Sequence, residues 1–280
     1  MIILLGMLSM IDAGTKLFAL FGDPVGHSLS PLMHNRAFAR VGYNGVYVAV
    51  RIADPAGAVA AMRALNMRGA SVTIPHKLAV MEYLDEIAPE ARQIGAVNTI
   101  VNDTGRLKGL NTDGAGAMDA LRAQTAIQGR RVALVGAGGA ARAIGYGILQ
   151  EGGALTIYNR TQANAEALAA DLGAAWGALP DLARTAPDIL INATSVGMHP
   201  QVEALPVNPD WLQPQMVVMD TVYNPLETRL LAAARARGCR TVTGEGMFIH
   251  QGALQFAAWT GQPAPLAEMR RVVLEALTQQ

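Results

Sequence analysis

The chain has 280 residues, enough for one or two domains with a sizeable core. Lys plus Arg and Asp plus Glu each number 22 and no run of like charge occurs, which argues against a nucleic-acid partner. The single cysteine, Cys239, has no partner for an internal disulfide and forms no thiolate cluster for a metal; a reducing, cytoplasmic setting fits. Residues 1–11 are apolar but lack leading basic residues and a cleavage site, and they are too short to span a bilayer. They read as an extension, or as a start placed ahead of Met7 or Met10.

In chain order, residues 17–22 (LFALFG) read as a first strand, followed by the turn-rich GDPVGHSLSP. Pro31 suits the first position of a helix with Ser30 as N-cap, and Leu32, Phe38 and Val41 fit its buried face. Residues 44–51 read as a second strand, 55–66 as a helix, and 69–74 as a third strand ended by Pro75. A helix is expected to begin near His76, and 86–95 also reads as helical. The runs 97–102 and 106–110 flank Thr104-Gly105 and read as a hairpin. NTDG at 111–114 caps a helix reaching Ala123.

The stretch 131–149, RVALVGAGGAARAIGYGIL, restarts the alternation as strand, glycine turn and helix. In that context G-x-G-x-x-A points to dinucleotide binding. Gly136 permits the tight turn, Gly138 lets the backbone approach a pyrophosphate, and Ala141 is small enough for close helix–strand packing. The helix then directs free N–H groups at the phosphates. Strands at 155–158, 188–192, 216–220 and 241–243, with helices between, make a doubly wound parallel sheet, and the chain beyond Gly246 is helical. The expected fold is α/β, with two α/β domains, the second of Rossmann type. A crevice between two such domains is a common ligand site. Where an acid would hold the ribose 2′-hydroxyl of NAD stand Asn159, Arg160 and Thr161. No carboxylate repels a 2′-phosphate and Arg160 can pair with it, which favours NADP; otherwise Arg160 is a solvated surface residue.

In the first half, Ser28 and Ser30 precede a helix N-terminus, a favourable place for a small carboxylate, although Ser30 could simply cap the helix. Thr73 and Lys77 flank Pro75, Asn98 opens the hairpin, and Asp113 starts the next helix, where it could be an N-cap. Spacing alone does not bring these residues together.

GDPVGHSLSPLMHN, SVTIPHK, GAVNTI, NTDG, GAGGAARA, NRT, NATSVGM, VYNP and GMFIHQGA, in this order from Phe18 to about Gly261, resemble the shikimate dehydrogenase family. The resemblance implies an enzyme of aromatic amino acid biosynthesis that reversibly reduces 3-dehydroshikimate to shikimate with NADPH. It implies a substrate-binding domain over residues 1–115, an NADP domain over 116–246, and C-terminal helices, 247–280, packed back on the first. By motif, Ser28 and Ser30 bind the substrate carboxylate, and Thr73, Lys77, Asn98, Asp113, Tyr223 and Gln251 surround its ring, with Lys77 and Asp113 as the catalytic pair. Gly136, Ala137, Gly138, Gly139 and Ala140, then Asn159, Arg160 and Thr161, then Thr194, Ser195, Val196 and Met198 line the cofactor. Gly246 and Met247 lie towards the nicotinamide. Shikimate is the expected small-molecule partner of a monomer or homodimer, with no membrane and no metal.

The chemistry agrees. When hydride reaches the carbonyl carbon, negative charge grows on oxygen, and a positioned lysine ammonium stabilises it and supplies the proton. A nearby aspartate favours the charged lysine. The oxidative direction needs the neutral amine, so an alkaline optimum is expected. The five histidines (His27, His34, His76, His199, His250) show no ligand spacing; His250, beside Gln251, is the best placed to touch substrate. Two departures from the family pattern stand out. Ser71 replaces an asparagine, which changes the hydrogen-bonding pattern near the substrate. Asn164 replaces a second basic residue after N-R-T, which weakens the NADP preference and allows NAD. Ser30, rather than threonine, favours shikimate over quinate. The rival readings are a quinate or amino-substituted-substrate paralogue and a non-catalytic NADP-binding sensor; a sensor has no need of both Lys77 and Asp113.

Overall fold

The computed structural model describes residues 11–279, so the reading of residues 1–10 falls outside it. The chain divides into two compact units. One comprises the chain up to Thr112 together with the segment from Gly252 onward; the other is Asp113–Gln251. The divisions fall three residues before and five residues after the expected boundaries at 115 and 246. The reason is packing: Ala117, Met118, Ala120 and Leu121, in the helix that Asp113 begins, and Met247 all join the hydrophobic core of the second unit.

The first unit begins with β1 (Lys16–Gly22), α1 (Ser30–Val41), β2 (Gly45–Arg51), α2 (Pro55–Ala64) and β3 (Gly69–Val72). A 3-10 turn over Ala79–Tyr83 leads to β4 (Glu86–Ile87), α3 (Pro89–Ile94), β5 (Thr99–Asp103) and β6 (Arg106–Leu110). The sheet order is β2-β1-β3-β5-β6-β4. Its first three strands are parallel, whereas β5 runs antiparallel to both β3 and β6. The alternation of β1 separates two cores. Ala19 and Phe21 pack with Val59, Met62, Ile100 and Leu107. Phe18 faces the other way, with ring centroids 4.9 Å from Phe38 and 5.3 Å from Trp259.

Three local expectations change. Leu32 is 36% exposed and Val41 only half-buried; the buried stripe of α1 is Met33, His34, Ala37 and Phe38. No α-helix begins at His76; a series of turns and the 3-10 segment take its place. Residues 86–87 are strand, not helix, because they pair with Lys108 and Gly109 of β6 while Lys108 Nζ meets Glu86 at 2.6 Å. The helix starts only at Pro89.

The second unit contains α4 (Asp113–Arg122), β7 (Arg131–Val135), α5 (Gly139–Gln150), β8 (Ala154–Asn159), α6 (Gln162–Leu172) and β9 (Ala175–Ala178). These are followed by β10 (Ile189–Asn192), β11 (Val217–Asp220), α7 (Arg229–Ala236), β12 (Arg240–Val242) and the start of α8 (Gly244–Thr260); α9 (Leu266–Thr278) belongs to the first unit. All five strand pairings are parallel, in the order β12-β11-β10-β7-β8-β9. That is the doubly wound dinucleotide-binding order. Period-two alternation again feeds two faces. Val132, Leu134, Leu155 and Ile157 pack with Ile144 and Ile148, while Ala133, Val135, Tyr158 and Leu190 pack with Leu230 and Leu231. Strand β9 is absent from the sequence-based expectation because AWGA carries no β-branched residue; its register, Ile157 opposite Trp176, comes from β8.

His34 is fully buried, stacked 4.6 Å from the Tyr47 ring, with neither ring nitrogen hydrogen-bonded. Burial holds its pKa down from 6.5 to about 3, with the nearby Gln255 side chain offsetting only part of that. As pH falls from 6.5 towards 3, the unfolded chain takes up a proton that the folded chain does not, and stability is lost. His34→Phe should flatten this acid limb: urea unfolding at pH 7 and pH 4.5 should show a smaller drop than in the parent protein. An equal drop contradicts the assignment.

Candidate active site

In the first unit the polar residues gather where β1 and β3 end and β5 begins. A Cβ on Gly22 would lie 2.3 Å from the Thr73 methyl, so only glycine lets the GDPVGHSLSP turn cross Thr73. Thr73 N–H donates to Phe21 O at 2.8 Å. Further along the turn, Ser28 Oγ accepts from Ser30 N–H at 3.2 Å and donates to Ser30 Oγ at 3.1 Å. Ser30 is therefore not the N-cap. It is the first residue of α1, Leu29 holds the cap position, and no side chain caps the helix. The two hydroxyls meet at the N-terminal end of α1, where the helix dipole suits a carboxylate.

Lys77 lies in the turn after β3. His76 N–H donates to Thr73 O, Val80 N–H to His76 O, and the His76 ring is 3.0 Å from Ile52 O. The Lys77 carbonyl accepts from Val97 N–H at 2.8 Å, which fixes Lys77 to the strand entry that carries Asn98. Asn98 is 2% exposed and held by hydrogen bonds from several segments. Its Oδ1 accepts from Thr112 N–H (2.9 Å) and Thr99 Oγ1 (2.7 Å), and its Nδ2 donates to Thr112 Oγ1 (2.9 Å). Its carbonyl accepts from Val72 N–H and from Gln255 Nε2. Ser71, the departure noted above, is buried; its hydroxyl donates to Gln255 Oε1 at 2.9 Å and accepts from Tyr47 at 2.7 Å. Its one proton is spent inside this network.

In the second unit, Asp113 is 5% exposed in the first turn of α4. Tyr223 stacks on Phe248 at 4.4 Å, and Gln251 Nε2 bonds back to Phe248 O at 2.8 Å. His250 Nδ1 lies 3.7 Å from Asp119 Oδ2. At the end of β7, Gly136 has φ +121, and a Cβ there would sit 3.1 Å from Ala193 backbone atoms and the Thr194 methyl. Gly138 precedes α5, which has no side-chain cap, and a Cβ at Gly138 would meet nothing within 4 Å. Gly139 and Ala140 then open the helix, with Ala137 half-buried before them. Asn159 Nδ2 braces the Thr161 carbonyl at 3.0 Å, and Arg160 and Asn164 are exposed. Arg142 is tied to Asp171 at 2.7 Å. Thr194 N–H and Oγ1 both donate to Asn192 Oδ1, Val196 N–H donates to Thr194 Oγ1, and Met198 N–H donates to Ser195 O. Gly246 is half-buried, while Met247 packs in the core of this unit.

Sequence reasoning missed Thr99, Thr112, Gln255, Asn192 and Asp220. Each is polar yet at most 7% exposed, and three of them, Gln255, Asn192 and Asp220, interrupt or end an apolar run: GALQFAAW, ILIN, VVMD. That interruption was the available signal.

Residues 20–100 match the family described as the shikimate dehydrogenase substrate binding domain, residues 119–209 match shikimate/quinate 5-dehydrogenase, and residues 244–274 match the shikimate 5′-dehydrogenase C-terminal domain. The chain is 49% identical to the shikimate dehydrogenase (NADP(+)) of Moorella thermoacetica, over 95% of each. The chain belongs to the shikimate dehydrogenase family. A shikimate dehydrogenase crystallised with NADP+ superposes with a TM-score of 0.92 at 41% identity, covering 96% of this chain and 98% of that one. The shikimate 5-dehydrogenase of Thermus thermophilus, crystallised with NADP(H) and shikimate, gives 0.87 at 37% identity, covering 94% and 100%.

NADP is the cofactor, and the residues present fit it. The glycine turn leaves no room for a side chain at Gly136 and open space at Gly138, the α5 amides are uncapped, and no carboxylate stands at Asn159–Thr161. Gly136→Ala should weaken NADPH binding by about tenfold or more, since left-handed strain of ~1–3 kcal/mol adds to the crowding. Fluorescence titration with NADPH checks this; unchanged affinity would contradict the cradle.

Proposed function

We propose that this protein reversibly reduces 3-dehydroshikimate to shikimate, with Ser28 and Ser30 holding the substrate carboxylate and Lys77 acting as general acid. The observation that carries the reading is the hydrogen-bonded array of the first unit, in which the Lys77 carbonyl and the buried Asn98 are fixed on one strand entry. Bound NADPH supplies hydride to the carbonyl carbon. The Lys77 ammonium stabilises charge on the carbonyl oxygen and delivers the proton; in the oxidative direction its neutral amine takes the proton back. Asp113 orients that amine and favours its charged form. Thr73, Asn98, Tyr223 and Gln251 fix the ring hydroxyls, and tight orientation converts their hydrogen bonds into rate. Gly136–Ala140 and Thr194–Met198 hold the cofactor backbone, Gly246 and Met247 lie towards its nicotinamide, and Arg160 with Thr161 meets the 2′-phosphate.

Asn164, exposed four residues after Arg160, supplies no second cation, which supports a modest NADP preference with NAD tolerated. The Ser71 hydroxyl, committed to Gln255, supports shikimate recognition through Asn98 and Thr73 instead. None of the helices among the described residues is long and apolar enough to cross a membrane. A cytoplasmic monomer or homodimer, acting without metal or nucleic acid, is the setting proposed.

Lys77→Ala should lower kcat by roughly 10²-fold or more while the shikimate KM changes little, the mark of lost acid–base catalysis. Normal turnover contradicts the role of Lys77. Initial rates with shikimate and quinate, each with NADP and NAD, test the specificity. The highest kcat/KM is expected for shikimate with NADP, and a preference for NAD above about tenfold (~1.4 kcal/mol) overturns the cofactor reading.

A further inference from the structure

Asp220, the last residue of β11, is fully buried yet plays no part in the chemistry above. Its Oδ1 accepts from Asn192 Nδ2 at 2.9 Å and from Val222 N–H at 3.0 Å, and its Oδ2 accepts from Thr228 Oγ1 at 2.7 Å. Each partner leads elsewhere. Asn192, which ends β10, accepts from both Thr194 N–H and Thr194 Oγ1. Asn192 Nδ2 also reaches Val196 O at 3.3 Å. Val222 precedes Tyr223, and Thr228 caps α7. A second tie joins the same two loops, from His199 N–H to Asn224 O at 3.2 Å. The Thr194 methyl, at the far end of the relay, bounds the space where a Gly136 Cβ would sit.

We propose that Asp220 is a positioning residue that sets the Thr194–Val196 loop against the glycine turn and keeps it in step with the Tyr223 loop. The inference rests on the assignment of the Thr194 segment to the cofactor. Asp220 does not act as a stabilising charge. Burial pushes its pKa up to about 6 despite three accepted hydrogen bonds, so the ionised form is held at a cost above that pH and is relieved as pH falls towards the unfolded value of 3.8. What the carboxylate provides is acceptor geometry. A side-chain amide, a main-chain N–H and a helix-cap hydroxyl are aimed at one side chain, and loss of that side chain leaves the Asn192 side-chain amide and the Val222 N–H without this acceptor.

The test compares Asp220→Ala with Asp220→Asn. In the asparagine variant the amide oxygen can still accept from Asn192 and Val222, while the amide nitrogen donates to Thr228 Oγ1. NADPH dissociation constants from fluorescence titration, with thermal unfolding followed in parallel, are the readouts. Asp220→Ala should weaken NADPH by about tenfold, the scale of an orphaned buried hydrogen bond, and Asp220→Asn should stay within about twofold with unfolding no earlier than the parent at pH 7.5. Thr194→Val cuts the far end of the relay without touching the buried carboxylate; about fivefold weaker NADPH binding is expected, and the double variant with Asp220→Ala should be no worse than Asp220→Ala alone. Parent affinity in folded Asp220→Ala, equal losses in both Asp220 variants, or multiplying losses in the double variant would overturn the proposal. If Asp220→Ala does not fold, parent affinity in Thr194→Val overturns it. Failure of the parent protein itself to bind NADPH would instead sink the cofactor assignment.

Discussion

A buried carboxamide left without partners costs ~1–3 kcal/mol, and Asn98 avoids that cost only if several segments arrive together. Its side chain takes the Thr112 amide and the Thr99 hydroxyl, and its main chain takes Val72 and Gln255. The end of β3, the start of β5, the residue before α4 and the C-terminal half of α8 are thereby fixed around one amide. Lys77 is held one residue away through Val97, and Asp113 follows Thr112 directly in the chain. The candidate chemistry of the first unit depends on this satisfied knot, whose members each restrict the others.

The second unit solves a matching problem at the ends of its parallel strands. β7, β8, β10 and β11 finish in Val135-Gly136, Asn159, Asn192 and Asp220. The apolar alternation of these strands buries both faces under helices, so the polar ends are the places where side chains remain available for ligands or for bracing. Glycine at 136 fits where a side chain would meet Ala193 and Thr194, Gly138 leaves open space, uncapped amides at α5 supply partial positive charge, and the Asn192–Thr194 bonds shape the opposing loop.

Much of this was legible in the sequence. The strand–glycine–helix stretch, the hairpin around Thr104-Gly105 and the parallel second sheet follow from periodicity and turn chemistry, which are local. What escaped was non-local. β9 is a strand because β8 offers it a register, and residues 86–87 pair rather than coil because Lys108 and Gly109 lie opposite. Ser30 fits a cap by type, but Ser28 reaches its amide first. The candidate residues were named from motifs; Gln255, Thr112 and Asp220, which hydrogen-bond around them, were not, because nothing in a single chain marks which buried polar group meets which.

The central claim is that the Lys77 ammonium and the Asp113 carboxylate work as a pair on the substrate hydroxyl. A crystal structure of the protein with shikimate and NADP+ tests it most directly. The account predicts Lys77 Nζ within hydrogen-bond reach, roughly 2.6–3.2 Å, of both the reacting hydroxyl and Asp113. Lys77 turned away from that hydroxyl, or Asp113 bonded elsewhere with no contact to Lys77, would contradict it.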